Sequence, residues 1–324
     1  MRLVTFSSGA DSPSRLGALS ADGARVVDLG ALAQRRRVAD PQRFASMLEL
    51  VRAGRAALDL AKALLAESAH EGVERGSVRL DAPLPLPEQL RCFSAFEEHS
   101  RRSSPAMLKL MAAHSPAFQA AAERAAQGTL ELPKLWYERP LYYKANRFSV
   151  VGTDRDIQWP GYSAIVDFEL ELGCVIGATG KDVAGADAGT LIFGYTLCND
   201  LSARDAQAIE MQAPLGPAKS KDFDGGLAMG PCIVTADEFD RRGADTVVRV
   251  NGEEWARGTA SNMHHSFEAM IAYVSQSETL HAGEMLLSGC VGGGSGTELG
   301  RYPARGDVIE LEMKGIGVLR NRII

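Results

Sequence analysis

The chain reads as an α+β protein rich in β-structure, with a small N-terminal α/β unit ahead of a larger barrel- or sandwich-like domain. Three observations lead there. After about residue 90, short apolar runs separated by Gly and Pro turns dominate, as in "IVDFELELGCVIG", "GTLIFGYTLCND", "AMGPCIVTA" and "EMLLSGCVGGG". Few helical stretches intervene, which argues against a doubly wound parallel sheet. The first 80 residues have a different texture, and "LDAPLPLPEQL", with three prolines, separates them from the rest.

Within residues 1–80, "MRLVTF" and "RLGALSADGARVVDLG" predict strands joined by a turn at Asp22-Gly23. A helical stretch follows, with Phe44, Met47, Leu48, Leu50 and Val51 and then Leu58, Ala61, Leu64 and Leu65 recurring at helical spacing. Residues 88–324 form the second unit. There, residues 99–127 read as helix plus loop and "MHHSFEAMIAYVSQ" as a helix, with "TVVRVNGEEWARG" and "DVIELEMKGIG" adding strands. Residues 101–133 could serve as a lid or be an ordinary helical insertion.

Composition excludes several classes of function. With 45% hydrophobic and 23% charged residues and a net charge of -6, the chain is an ordinary globular protein without the basic surplus that nucleic-acid binding needs. No apolar run is long enough to span a membrane, and the first residues lack an export signal, so a cytosolic location is expected. Five widely spaced cysteines are expected to be buried thiols rather than a disulfide or zinc framework.

The chemistry concentrates in two acidic stretches. On a strand "DFELELGCVIG", alternation puts Asp167, Glu169 and Glu171 on one face. Two converging carboxylates in a dry site repel unless a cation compensates, and oxygen ligands favour a hard divalent ion. The same stretch could also be a solvated strand face. In "GYTLCNDLSARDAQAIE", Asn199 and Asp200 fall at a strand end, followed by Arg204, Asp205 and Gln207 and, further on, by Lys221 in "LGPAKSKDF". Taken singly, these could be a helix cap, a surface pair and a surface lysine; as a set they form a candidate site.

In these stretches, together with "MHHSFEAMIAYVSQSETLHAGEMLLSGCVGGGS" and "GDVIELEMKGIGVLRNRI", residues 88–324 resemble the fumarylacetoacetate hydrolase family. The resemblance implies a mixed β-sandwich roll carrying a divalent metal, Mg²⁺ or Mn²⁺ foremost and Ca²⁺ as an alternative. It implies Glu169, Glu171 and Asp200 as metal ligands, His99 as catalytic base and Glu298 as the group that orients it. Arg204, Gln207 and Lys221 become candidates for stabilising developing negative charge. Three positions depart from the family pattern: Cys92 stands where larger members have an aspartate ligand, Cys290 where they have a threonine, and Arg102 where shorter members often have a glutamate. Water is expected in place of the Cys92 thiol, since a hard ion does not favour sulfur.

The activity implied is hydrolytic cleavage of a carbon–carbon bond in a 2,4-dioxo acid, such as an acylpyruvate. Hydration or dehydration, isomerisation, ketonisation and decarboxylation of 2-oxo acids on the same scaffold are the alternatives, and a non-catalytic metal-stabilised binding protein is a further one. The expected partner is a small 2-oxo or 2,4-dioxo acid, with no nucleic acid and no membrane, in a homodimer.

Overall fold

A computed structural model describes residues 1–9, 12–213 and 215–324. The chain begins with three antiparallel strands, β1 (Arg2–Ser7), β2 (Arg15–Leu19) and β3 (Arg25–Asp28). The predicted turn joins β2 and β3, with Gly23 in the left-handed region at φ 75°. The helical stretch Met47–Ser68 follows and breaks at Gly54, whose φ is 70°.

Beyond the proline-rich segment come β4 (Leu90–Phe93), helix α1 (Glu97–His114), β5 (Tyr142–Ala145), β6 (Glu169–Ile176) and β7 (Ile192–Asp200). They continue through α2 (Arg204–Glu210), β8 (Leu227–Thr235), β9 (Asp245–Val250), β10 (Glu253–Thr259) and β11 (Met285–Ser295). A single helical turn, α3 (Gly296–Leu299), precedes the last strands, β12 (Val308–Met313) and β13 (Gly317–Ile323). The helix expected within residues 263–276 spans Phe267–Val274.

One large sheet runs in the order β3-β2-β1-β8-β7-β6-β11-β4-β5, so the N-terminal strands extend the same sheet that carries the acidic strand. A second sheet has the order β10-β9-β12-β13 and ends on the short strand Arg155–Ile157, which pairs parallel with β13. Its β9-β10 hairpin turns at Asn251-Gly252, with φ of 52° and 80°, the backbone that two-residue hairpins require.

Two cores flank the large sheet. Leu170, Leu172 and Cys174 of β6 face a core shared with Phe267, Leu311, Met313 and Leu319. On the other side, Leu3, Met47, Leu50 and Val51 pack with Cys92, Cys198, Met229 and Leu287. All eight residues of β6 are buried, so its acids lie inside the protein and not on a wet face. That placement demands partners for every carboxylate.

Candidate active site

β6 pairs antiparallel with β7, Leu170 opposite Asn199 and Glu171 opposite Cys198, and this register brings the end of β7 beside the start of β6. Asp200 is thereby delivered next to Glu171: their carboxylates and the Cys92 thiol lie within 4.8 Å of one another. On its other edge, β6 meets β11 with register shifts on either side of Glu171. Such irregularities bend a strand and re-aim its side chains, and they recur beside functional sites. The Gly289 amide of β11 donates to Glu171 Oε2 at 3.1 Å. Only glycine fits there, since φ is +81° and a Cβ would stand 2.3 Å from the Phe93 carbonyl oxygen.

Each acid has a different environment. Asp167 is fully buried and held by Arg204 Nε and Nη2 at 2.8 and 2.7 Å, by the Gly296 and Thr297 amides at 2.7 and 3.0 Å, and by the Thr297 hydroxyl at 2.7 Å. It ties α2 to α3 and lies behind the site. Glu169 receives Arg204 Nη1 at 2.9 Å and Lys221 Nζ at 2.7 Å. Burial raises its pKa, but Lys221, Arg204 and His99 outweigh that and hold the carboxyl well below the usual range.

Glu171 is the exception. Its contacts are the Gly289 amide and the Cys92 thiol, 3.4 and 3.5 Å from its two oxygens, and among the described residues no lysine or arginine pairs with it. Burial, then repulsion from Asp200 and Glu169, pushes its pKa well above the usual carboxylate value. Lys221 Nζ bridges Glu169 and Asp200 Oδ2, at 2.7 Å from each, and also donates to the Asp200 carbonyl at 3.0 Å. Burial alone would lower the lysine pKa, but Asp200 and Glu169 raise it, so the ammonium stays charged.

The base sits opposite. His99 lies in the first turn of α1, and its Nδ1 is 2.6 Å from Glu298 Oε1. Its Nε2 faces the acids, 3.9 Å from Glu169 Oε1. Glu298 follows the N-cap Ser295 of α3 and accepts from the Gly293 amide at 2.8 Å and the Ser295 hydroxyl at 3.2 Å. Burial raises the Glu298 pKa, but the hydrogen bond and charge of His99, the Gly293 amide and Arg102 bring it below the ordinary value. A carboxylate at Nδ1 fixes the tautomer with its proton there and leaves the Nε2 lone pair free to take a proton.

The structure therefore brings His99, Glu298, Glu169, Glu171, Asp200 and Lys221 together. Arg204 and Gln207 join them from α2, with Arg204 Nη1 donating to Gln207 Oε1 at 2.9 Å. Arg204 is committed to Asp167, Glu169 and Gln207, which leaves the Gln207 amide N–H₂ as a donor with no protein partner among the described residues. Two of the residues that depart from the family pattern lie against the base pair: Cys290 Sγ is 3.9 Å and Arg102 Nε 3.9 Å from Glu298 oxygens. The sequence reading missed Tyr143, whose hydroxyl donates to Asp200 Oδ2. Nothing local in "LYYKAN" marks it; it reaches the site only because β5 pairs with β4, Tyr143 opposite Cys92.

The carboxylates fit a hard divalent ion. Glu171 and Asp200 offer convergent oxygens, and a cation is what Glu171 lacks among its contacts with the described residues.

An α+β fold that presents buried carboxylates to a histidine–glutamate pair defines a candidate enzyme active site. The chain belongs to the fumarylacetoacetate hydrolase family: residues 113–324 match the family model for the C-terminal domain of fumarylacetoacetate (FAA) hydrolase. It is 31% identical to an oxaloacetate tautomerase, named as mitochondrial, of Xenopus laevis, covering 100% of this chain and 90% of the relative. The tautomerase FAHD2A of Homo sapiens, also named as mitochondrial, is 28% identical, covering 100% of this chain and 92% of the relative. Among solved structures, a fumarylacetoacetate hydrolase from Exiguobacterium antarcticum aligns with a TM-score of 0.72 at 25% identity, covering 100% of this chain and 99% of that one. A maleylpyruvate hydrolase from Sphingobium, in complex with manganese(II) and pyruvate, has the same fold, with a TM-score of 0.70 at 20% identity and coverage of 100% and 99%.

These relatives overturn the cytosolic expectation, since curated proteins that match this chain from end to end are named as mitochondrial. Among the described residues, no helix is long and apolar enough to cross a membrane.

Proposed function

We propose that this protein is a divalent-metal-dependent enzyme of 2-oxo acids whose reaction is proton transfer at the carbon next to the 2-oxo group, as in keto–enol tautomerisation of an oxaloacetate-like diacid. The observation that carries the reading is the His99–Glu298 pair, 2.6 Å apart, with His99 Nε2 turned toward the carboxylate cluster. The end-to-end likeness to oxaloacetate tautomerases supports it.

Glu169, Glu171 and Asp200 would hold a divalent ion, whose chemistry when bound is chelation of a 2-oxo acid and stabilisation of negative charge on its 2-oxygen. In the enol-to-keto direction, imidazolium His99 delivers its Nε2 proton to C3 while the enol oxygen releases its own to solvent, and the neutral imidazole left behind regains a proton from solvent. The reverse direction starts with neutral His99 taking the C3 proton. Glu298 accepts the Nδ1–H throughout and stabilises the imidazolium, and proton transfer by a side chain positioned as His99 is contributes about 10²–10⁴ in rate. Lys221 and Arg204 hold Glu169 and Asp200 in place by their ion pairs. The free amide of Gln207 is the donor available to a substrate oxygen.

Carbon–carbon hydrolysis of an acylpyruvate, the leading expectation from sequence, is the second reading. It is favoured by the same pair, which could deprotonate water. It asks for further donors at a distal carbonyl, and Arg204 and Lys221 already spend theirs on carboxylates. The division into residues 1–80 and 88–324, expected from the change of texture at the proline-rich segment, and a homodimeric assembly, which the resemblance implies, belong to this proposal.

The test supplies enolic oxaloacetate and, separately, acylpyruvates to purified protein with Mg²⁺ or Mn²⁺. Accelerated ketonisation that His99→Ala abolishes, with little cleavage, is expected. Acylpyruvate cleavage without accelerated ketonisation would put hydrolysis in its place.

A further inference from the structure

Cys92 is not an ordinary core thiol. It is 3% exposed on β4, and its sulfur lies 3.4 and 3.5 Å from the oxygens of Glu171 and 3.5 Å from Asp200 Oδ2. The remaining polar contact is its neighbour's carbonyl, Phe93 O, at 3.8 Å. Buried Cys232, by contrast, reaches only the Ile316 carbonyl among the described residues, at 3.5 Å.

The spacing around Cys92 has a second meaning. An ion of zinc-like size binds sulfur at about 2.3 Å and carboxylate oxygen at about 2.0–2.2 Å. At a tetrahedral angle those bonds separate the sulfur from the oxygen by about 3.6 Å, and at a right angle by about 3.1 Å. The observed S···O distances of 3.4 and 3.5 Å fall between the two. The three groups converge: Cys92 Sγ, a Glu171 oxygen and an Asp200 oxygen lie within 4.8 Å of one another, and among the described residues no lysine or arginine pairs with Glu171, a gap in charge that a divalent cation would fill.

We infer that Cys92 is a metal ligand, making a mixed Cys92–Glu171–Asp200 donor set that takes borderline divalent ions such as Co²⁺ or Zn²⁺ in preference to Mg²⁺. This rests on the reading of the carboxylates as a metal centre and replaces the water expected there from sequence. Carboxylates alone suit Mg²⁺ and Mn²⁺, whereas one sulfur ligand moves the preference along the series toward softer ions. Coordination displaces the thiol proton, which passes to buffer. The departure from the family pattern at this position thus becomes a determinant of which metal the protein carries.

The test is Co²⁺ titration of chelator-stripped protein, followed by near-ultraviolet absorption and by calorimetry, on wild type, Cys92→Ser, Cys92→Asp, Cys290→Ser and Glu171→Gln. Wild type and Cys290→Ser should show a sulfur-to-cobalt charge-transfer band that both Cys92 variants lack. Cys92→Asp should keep Mg²⁺ binding, which shows that it is folded, while its Zn²⁺-to-Mg²⁺ affinity ratio falls about 10- to 100-fold. Co²⁺ binding by wild type without the band overturns the ligand assignment but leaves the metal centre standing. A band that survives in Cys92→Ser or disappears in Cys290→Ser overturns the assignment too. Equal heats for wild type and Glu171→Gln would overturn the metal centre itself, and the assignment with it.

Discussion

His99 and Glu298 belong to elements far apart in the chain, the first turn of α1 and the single turn of α3, yet Nδ1 and Oε1 stand 2.6 Å apart. The contact depends on β4 and β11 being parallel neighbours, Leu90 beside Met285 and Cys92 beside Leu287, so that the segments leaving them rise on the same side. Glu298→Gln keeps the shape and loses the acceptor charge. It is expected to lower kcat by about 10²–10⁴ with a small change in KM. Steady-state kinetics on the tautomerisation check this, and an unchanged kcat would detach Glu298 from the reaction.

Arg204 is 3% exposed and carries two acids, Asp167 and Glu169. Arg204→Met removes the cation and leaves both charges buried. A loss of about 3–5 kcal/mol in unfolding free energy is expected from denaturant titration, because breaking a buried pair strands its partner. A loss under about 1 kcal/mol would mean that water replaces the arginine without cost, as at surface pairs.

Acid should weaken the base pair's contribution to stability in a defined window. The folded pKa of Glu298 lies below its ordinary value of 4.5, burial opposing and His99 and the Gly293 amide prevailing. A depressed carboxylate binds fewer protons folded than unfolded, so its stabilisation is complete above 4.5 and fades as the pH falls through the folded pKa. The stability advantage of wild type over Glu298→Gln should therefore hold from neutral pH down to that value and shrink below it. An advantage that grew on acidification would have the wrong sign.

Divalent ions should stabilise the fold through Glu171. An ion at 100 times its Kd adds about 2.7 kcal/mol to unfolding free energy if it binds only the native state. Thermal melts of chelator-stripped protein with and without Mn²⁺ should show the gain in wild type and lose it in Glu171→Gln. Equal gains in both would place the ion elsewhere.

Much of this site was legible in sequence because its parts are local patterns. Alternation put Glu169 and Glu171 on one strand face, and the apolar run before Asn199-Asp200 marked a strand end; both hold in β6 and β7. What alternation does not carry is which acid each cation serves. Asp167 shares the acidic face in sequence, yet it lies on a separate two-residue strand paired with Ser202-Ala203 and turns to Arg204 and α3. Tyr143 was hidden for a related reason: its approach to Asp200 follows from strand order, a long-range property that the residues beside it do not encode.

The proposed function turns on proton transfer at C3 of a 2-oxo acid by His99. Its most direct test is proton NMR of oxaloacetate in deuterium oxide with Mg²⁺ or Mn²⁺, following loss of the C3 signal. Wild type should exchange that position faster than the metal alone does, with His99→Ala reduced about 10²–10⁴-fold toward the background. Exchange at equal rates by wild type and His99→Ala would contradict the account.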